Sequence, residues 1–206
     1  MLNYQCSHPI AIDPTKSTLE AGMLAIRDHA HLVVVDVQEQ LVPAIHEAAP
    51  GIANITRLIA YARILSVPTT FTEHMPERIG PMLPTLHEAS QPQAICLRKA
   101  SFSSLREPAL ADRFHALRRQ RREQIVLCGM EAHVCVMQTG LDLLAAGFEV
   151  LLVADTVGSR SAHNRDLAIN RMSKAGAAII SHEMIAFEWL ERGDTPEFKD
   201  ILAVLK

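Results

Sequence analysis

A chain of 206 residues is long enough for one α/β domain with a sizeable core, and no linker or composition shift marks a second. Net charge is −3 with no long run of either sign, so bulk attraction to nucleic acid is not indicated, and no apolar run approaches transmembrane length. The four cysteines, Cys6, Cys96, Cys128 and Cys135, form no CxxC pair, and MLNYQCSHPIAIDPTKSTLE lacks the basic-then-apolar order of a signal peptide; a soluble cytoplasmic protein in a reducing compartment is expected.

Residues 1 to about 29 are polar and mixed, with Pro9 and Pro14, and predict an N-terminal arm with a short helix around 19–26. HLVVV at 31–35 is a strand whose apolar continuity implies burial on both faces; it ends at Asp36. Residues 41–45 predict a loop or short turn, broken by Pro43. Pro50 opens a helix to about 65, with Ile52, Ile55, Ile59 and Ala62 on one stripe. A second strand over 67–72 ends at Glu73-His74. Pro76, Pro81, Pro84 and Pro92 with Gly80 predict a long loop over 75–93, the kind of segment that serves as a lid or binding wall.

A third strand over 93–97 leads to Lys99, and a helix over 107–119 turns Leu110, Phe114 and Leu117 inward. Arg118, Arg119, Arg121 and Arg122 fall at the end of that helix, where they complement its dipole. Residues 124–129 are too short an apolar run for a helix. After the turn Gly129-Met130-Glu131, helical spacing resumes at Val134, Met137, Leu141, Leu144 and Ala145 and stops at Gly147. With the run at 149–154 this is a βαβ unit, so its strands are parallel. A helix over 164–174, a strand over 177–181, a helix over 183–190 carrying Trp189 and a last helix opened by Pro196 complete the chain. Six strands alternating with helices predict a single three-layer α/β/α domain around a doubly wound parallel sheet. Cys96 and Cys128 fall inside strand runs and are expected in the core.

Three strand ends present Asp36, Lys99 and Cys135, and parallel strands bring such ends to one edge, where open α/β sheets form their ligand crevice. Each residue also has an ordinary reading: a helix cap for Asp36, a surface lysine for Lys99, a packed small residue for Cys135. If the three meet, Lys99 and the helix dipole would lower the thiol pKa, and Asp36 would accept the thiol proton and return it to a leaving group. Backbone around 129–131 could supply N–H donors to an oxyanion.

VVVDVQ at 33–38, RKASFS at 98–103 and GMEAHVCVMQTGLDLL at 129–144 resemble the isochorismatase-like cysteine hydrolases, the superfamily that includes nicotinamidases and N-carbamoylsarcosine amidase. The resemblance implies a triad of Asp36, Lys99 and Cys135, a non-proline cis peptide at Met130–Glu131, and an oxyanion hole made by the backbone N–H groups of Glu131 and Cys135. TEHMPERIGP at 72–81 and TPEFKDILAVLK at 195–206 look like the subgroup of isochorismatase-domain-containing proteins, some of which carry an old ribonuclease label. The residues offer no His pair suited to phosphodiester transfer and no basic groove.

Nicotinamidases hold a metal through Asp-x-His after their second strand; here that place reads Thr72-Glu73-His74-Met75. No metal and no cofactor are therefore expected, and His74 reads as a pocket-wall or hydrogen-bonded residue. Gln38, Glu73, Phe102 and His133 are the candidate substrate-binding residues; Arg160 and His163, after the fifth strand, could reach the same edge but read as ordinary loop residues. His133, two positions from Cys135, points to a different helix face and is not read as the base.

The expected function is cysteine-dependent hydrolysis of a small amide or carbamoyl-type substrate through a thioester. The alternative is a non-catalytic or redox-modified binding protein on the same fold. The expected partner is a small-molecule substrate, with no nucleic acid or membrane; likeness to the family implies a homo-oligomer, dimer or tetramer.

Overall fold

The computed structural model of the protein describes residues 23–90, 92 and 94–206. Its strands are β1 (Ala30–Val35), β2 (Thr69–His74), β3 (Ile95–Lys99), β4 (Gln124–Met130), β5 (Glu149–Gly158) and β6 (Ala178–Ile180). They form one sheet in the order β3-β2-β1-β4-β5-β6, with every pairing parallel. The α-helices among the described residues are α1 (Ala48–Ile64), α2 (Pro76–Ile79), α3 (Pro84–Ala89), α4 (Pro108–Arg119), α5 (Met137–Ala145), α6 (Ala162–Lys174), α7 (His182–Leu190) and α8 (Phe198–Leu205). None is long and apolar enough to cross a membrane.

The strand period of two splits the core into two layers. Leu32 and Val34 of β1 face one side with Ile55 and Ile59 of α1, Trp189 of α7 and Ile201 of α8. Val33 and Val35 face the other with Phe114 of α4, Leu143 of α5 and Met172 of α6. Both central strands, β1 and β4, are buried at every position, as strands covered on both faces must be. The architecture is the expected three-layer α/β/α fold.

Several elements differ from expectation. The segment after β2 is not one long loop, because Pro76 and Pro84 sit at first helical positions. There the missing N–H has no intrahelical partner to lose and the fixed φ favours entry, so these prolines start α2 and α3. Leu86 of α3 is fully buried in the α1 layer. Cys96 is not in the core: β3 is an edge strand and presents Ile95 and Cys96 outward. Only Cys128 of that pair is buried. Gln93 lies outside the described residues, as does the first half of the helix expected around 19–26; residues 23–26 are not helical. Arg118 does more than complement its own helix end, since it donates to the carbonyls of Ala146 and Gly147 (2.9 Å each) just past α5 and stacks over Phe148.

β1 and β4 touch most closely at Gly129, which pairs with Val35. Its φ is +115°, and a Cβ there would lie 2.1 Å from the Val35 carbonyl oxygen, so no other residue fits. Just before it the register with β5 slips: Leu127 pairs with Leu152, but Gly129 pairs with Val157. This bulge lengthens β5 beyond the run at 149–154 and brings Ser159 and Arg160 back beside the end of β4.

Candidate active site

The strand order reverses between β1 and β4, and a crevice opens beyond their carboxyl ends. Asp36 follows β1 directly with φ 51°, its N–H bonded to the Thr72 carbonyl at 3.2 Å. Lys99 comes from β3, two strands away. Val35 pairs with Thr72, whereas Lys99 pairs with His74 two rows further on, which gives the lysine height to reach back over β2. Its Nζ lies 2.6 Å from Asp36 Oδ2, and both side chains are wholly buried. Nζ also donates to the carbonyls of Ser101 (3.2 Å) and Phe102 (3.1 Å), and Thr72 Oγ1 donates to Asp36 Oδ1 at 2.6 Å. The Glu107 carboxylate steadies the loop that carries those carbonyls by accepting the N–H groups of Ala100 (2.9 Å) and Ser101 (2.6 Å).

Cys135 lies in a single π turn, Ala132–Val136, that joins β4 to α5. The peptide bond entering it, Met130–Glu131, is cis. The Glu131 carbonyl accepts from Val134 at 3.0 Å and Val136 at 3.2 Å, stepping over the N–H of Cys135 between them. The Cys135 thiol feels the charges of both Asp36 and Lys99, and it shares a cavity wall with Asp36. The structure thus brings Asp36, Lys99 and Cys135 together.

The expected activation of the thiol in the free protein is not found. Burial pushes Cys135 up to about 12, the Asp36 carboxylate pushes the same way, and Lys99 only partly opposes them. The reason is that Lys99 is already spent on Asp36, so the pair offers sulfur little net positive field while burial withholds water.

Cys135 opens into a cavity of about 340 Å³ that it shares with Asp36, Glu131 and Arg160. Leu41, His74, Ile79, Phe102 and Val134 complete the wall. Among the described residues no group of three or more His, Cys, Asp or Glu side chains could hold a metal ion.

Of the candidate substrate-binding residues, Phe102 lines this cavity and three do not. Gln38 is fully buried and bonds backbone at His74 and Gly80. Glu73 is turned away, accepting the Met82 N–H at 2.8 Å with Arg98 3.9 Å from its other oxygen. His133 bonds Ser159 Oγ at 3.0 Å and lines a separate cavity with Met137 and Leu167. His163 is exposed in the first turn of α6.

Arg160 is the residue that the sequence reading passed over. It donates to Glu131 through its backbone N–H and Nε (3.0 Å each) and through Nη2 (2.5 Å). Its signal in the sequence was a place after the fifth strand from which it could reach the same edge, outweighed there by the ordinary reading of a loop arginine. Burial would raise the Glu131 carboxyl, but the hydrogen bonds and charge of Arg160 outweigh it and hold the group below the usual range.

A carboxylate held low in the folded state contributes stability above its unfolded pKa, and that contribution fades as pH falls through the folded value. Arg160→Met is therefore expected to cost about 1 kcal/mol at pH 7, discounted because the arginine is largely exposed, and less at pH 3. Urea unfolding at the two pH values measures it; an equal loss at both would separate the effect from Glu131.

A doubly wound parallel sheet with a buried thiol, carboxylate and ammonium at its switch point defines the class, an α/β/α hydrolase. Residues 30–184 match the Isochorismatase domain model, and the chain belongs to the isochorismatase family. It is 34% identical over 176 residues to isochorismatase domain-containing protein 2 of Danio rerio, covering 84% of this chain and 85% of that protein. The solved MAR1 ribonuclease of Caenorhabditis elegans superposes with a TM-score of 0.83 at 34% identity, over 89% of this chain and 92% of that one. The YcaC gene product of Escherichia coli, described as an octameric hydrolase of unknown specificity, superposes at 0.79 over 90% and 89% of the two chains. At 23% identity that last likeness speaks for the fold.

Proposed function

We propose that the protein hydrolyses the C–N bond of a small amide or carbamoyl compound, with Cys135 as nucleophile, Asp36 as proton carrier and Lys99 as the cation that balances and orients Asp36. The observation that carries this reading is the wholly buried Asp36–Lys99 pair, 2.6 Å apart, beside the Cys135 thiol at the wall of a cavity. Asp36 takes the thiol proton as sulfur attacks the carbonyl carbon. The oxyanion that forms is held by the backbone N–H groups of Glu131 and Cys135. Asp36 passes the proton to the departing nitrogen, the C–N bond breaks, and a thioester and an amine remain. Water, deprotonated by Asp36, then attacks the thioester; the acid leaves and the thiol is restored.

A cytoplasmic homo-oligomer acting on a small molecule, without cofactor, nucleic acid or membrane, completes the reading.

The test is a panel of small amides and carbamates, acid-quenched during turnover and analysed by peptide mass spectrometry. An acyl adduct on the Cys135 peptide, with matching release of ammonia or amine, is expected. Turnover with the acyl group on Cys96, or with no adduct under any quench, would overturn the mechanism.

A further inference from the structure

We infer that His74 reads the substrate, selecting an uncharged amide that carries a second hydrogen-bond acceptor beyond the scissile carbonyl; this rests on the cysteine-hydrolase reading above. His74 ends β2 beside Lys99 and lines the same cavity as Cys135. Its position is fixed from three sides. The buried Gln38 accepts its N–H at 2.7 Å and donates to its carbonyl at 3.1 Å, while the same amide nitrogen donates to Gly80 at 2.6 Å. Against its face lies Phe102, with ring centroids 5.4 Å apart. A ring held this way is an oriented polar group in a largely apolar wall, the kind that decides which small molecule fits.

The ring's chemistry follows from its two nitrogens. Among the described residues the buried Nδ1 has no hydrogen-bond partner, and His74 lines the cavity, so Nε2 is the ring nitrogen assigned to a ligand there. Burial and the Lys99 charge hold the imidazole below its ordinary range, so it is neutral at pH 7 and carries a single proton. An orphaned buried N–H is rarer in proteins than an under-used acceptor, so the proton belongs on Nε2 and the lone pair on Nδ1. His74 therefore offers the cavity a donor, and a donor selects for an acceptor.

Charge sets the other half of the selection. Asp36 is matched by Lys99, and Glu131 is matched by Arg160 through three hydrogen bonds. A charged substrate group entering this space would be desolvated with no unpaired counter-charge waiting for it, so a neutral one is favoured.

Malonamide, butyramide and malonamate separate these demands: a neutral amide with a second acceptor, a neutral amide without one, and the anionic counterpart. Ammonia release by the wild type is expected to favour malonamide by about tenfold or more in kcat/KM over each of the other two. In His74→Ala the advantage over butyramide should collapse to under about twofold, mainly through KM, and His74→Gln, which keeps an N–H donor, should restore part of it. An equal loss on all three amides in His74→Ala would make the histidine structural and overturn the assignment. Preference for malonamate would overturn the neutral-substrate half and point to Arg160 instead. Calorimetric binding of the same compounds to Cys135→Ala protein reads recognition apart from chemistry. Selective binding without turnover in the wild type fails the hydrolase reading alone, and binding without selectivity fails His74 alone.

Discussion

Replacing Cys135 with alanine is expected to abolish amide turnover, lowering kcat/KM by about four to six orders of magnitude, the scale on which removal of a nucleophile acts. The loss is this large because Cys135 brings the only sulfur among the residues that line the cavity, and the carboxylates there are already engaged, Asp36 with Thr72 and Lys99 and Glu131 with Arg160. The variant should still fold. Cys135 is 6% exposed at the edge of a cavity, so deleting its sulfur enlarges an existing space instead of opening a void in packed core. A thermal melt close to wild type with no ammonia release is the expected pair of measurements. Wild-type rates on an authentic substrate would sink the mechanism whatever the melt.

Lys99→Met is expected to damage both stability and rate. The ion pair is completely shielded from solvent, and removing one partner of such a pair costs about 3–5 kcal/mol, because the other is left desolvated and unbalanced. The Ser101 and Phe102 carbonyls lose their donor at the same time. Turnover should fall by about three orders of magnitude, the effect of a misplaced base. Asp36→Asn added to Lys99→Met removes the orphaned charge as well, so the double variant should unfold at a higher urea concentration than Lys99→Met while remaining inactive. If the second substitution gives no recovery, the cost lies in packing around the lysine and not in charge balance.

The sheet was legible because its central strands are uninterrupted apolar runs, and Asp36, Lys99 and Cys135 stand at or shortly past the ends of strand runs. What the residues could not announce were features created by three-dimensional neighbours. Pro76 and Pro84 read as breakers until seen at N1. Gln38 and Glu73 look like pocket residues by position, but their side chains are consumed by main-chain groups of the segment that follows β2. The bulge between Leu127 and Gly129 shifts Arg160 to the cavity, and a strand end guessed from hydropathy conceals that shift. The direction in which the thiol is pushed was hidden for a similar reason: the sequence names the charges near Cys135, but only the fold reveals its burial and the 2.6 Å contact that gives Lys99 to Asp36.

The contact between Gly129 and the Val35 main chain has a consequence for how this protein can change. Asp36 follows Val35 immediately, and Cys135 lies one short turn beyond Gly129, so the spacing of proton carrier and sulfur is dictated by two polypeptide backbones pressed together, not by side-chain fit. Drift or redesign of the helical layers can retune thermal tolerance and leave the reaction coordinate untouched. A single methyl group at position 129 would pry the two reactants apart.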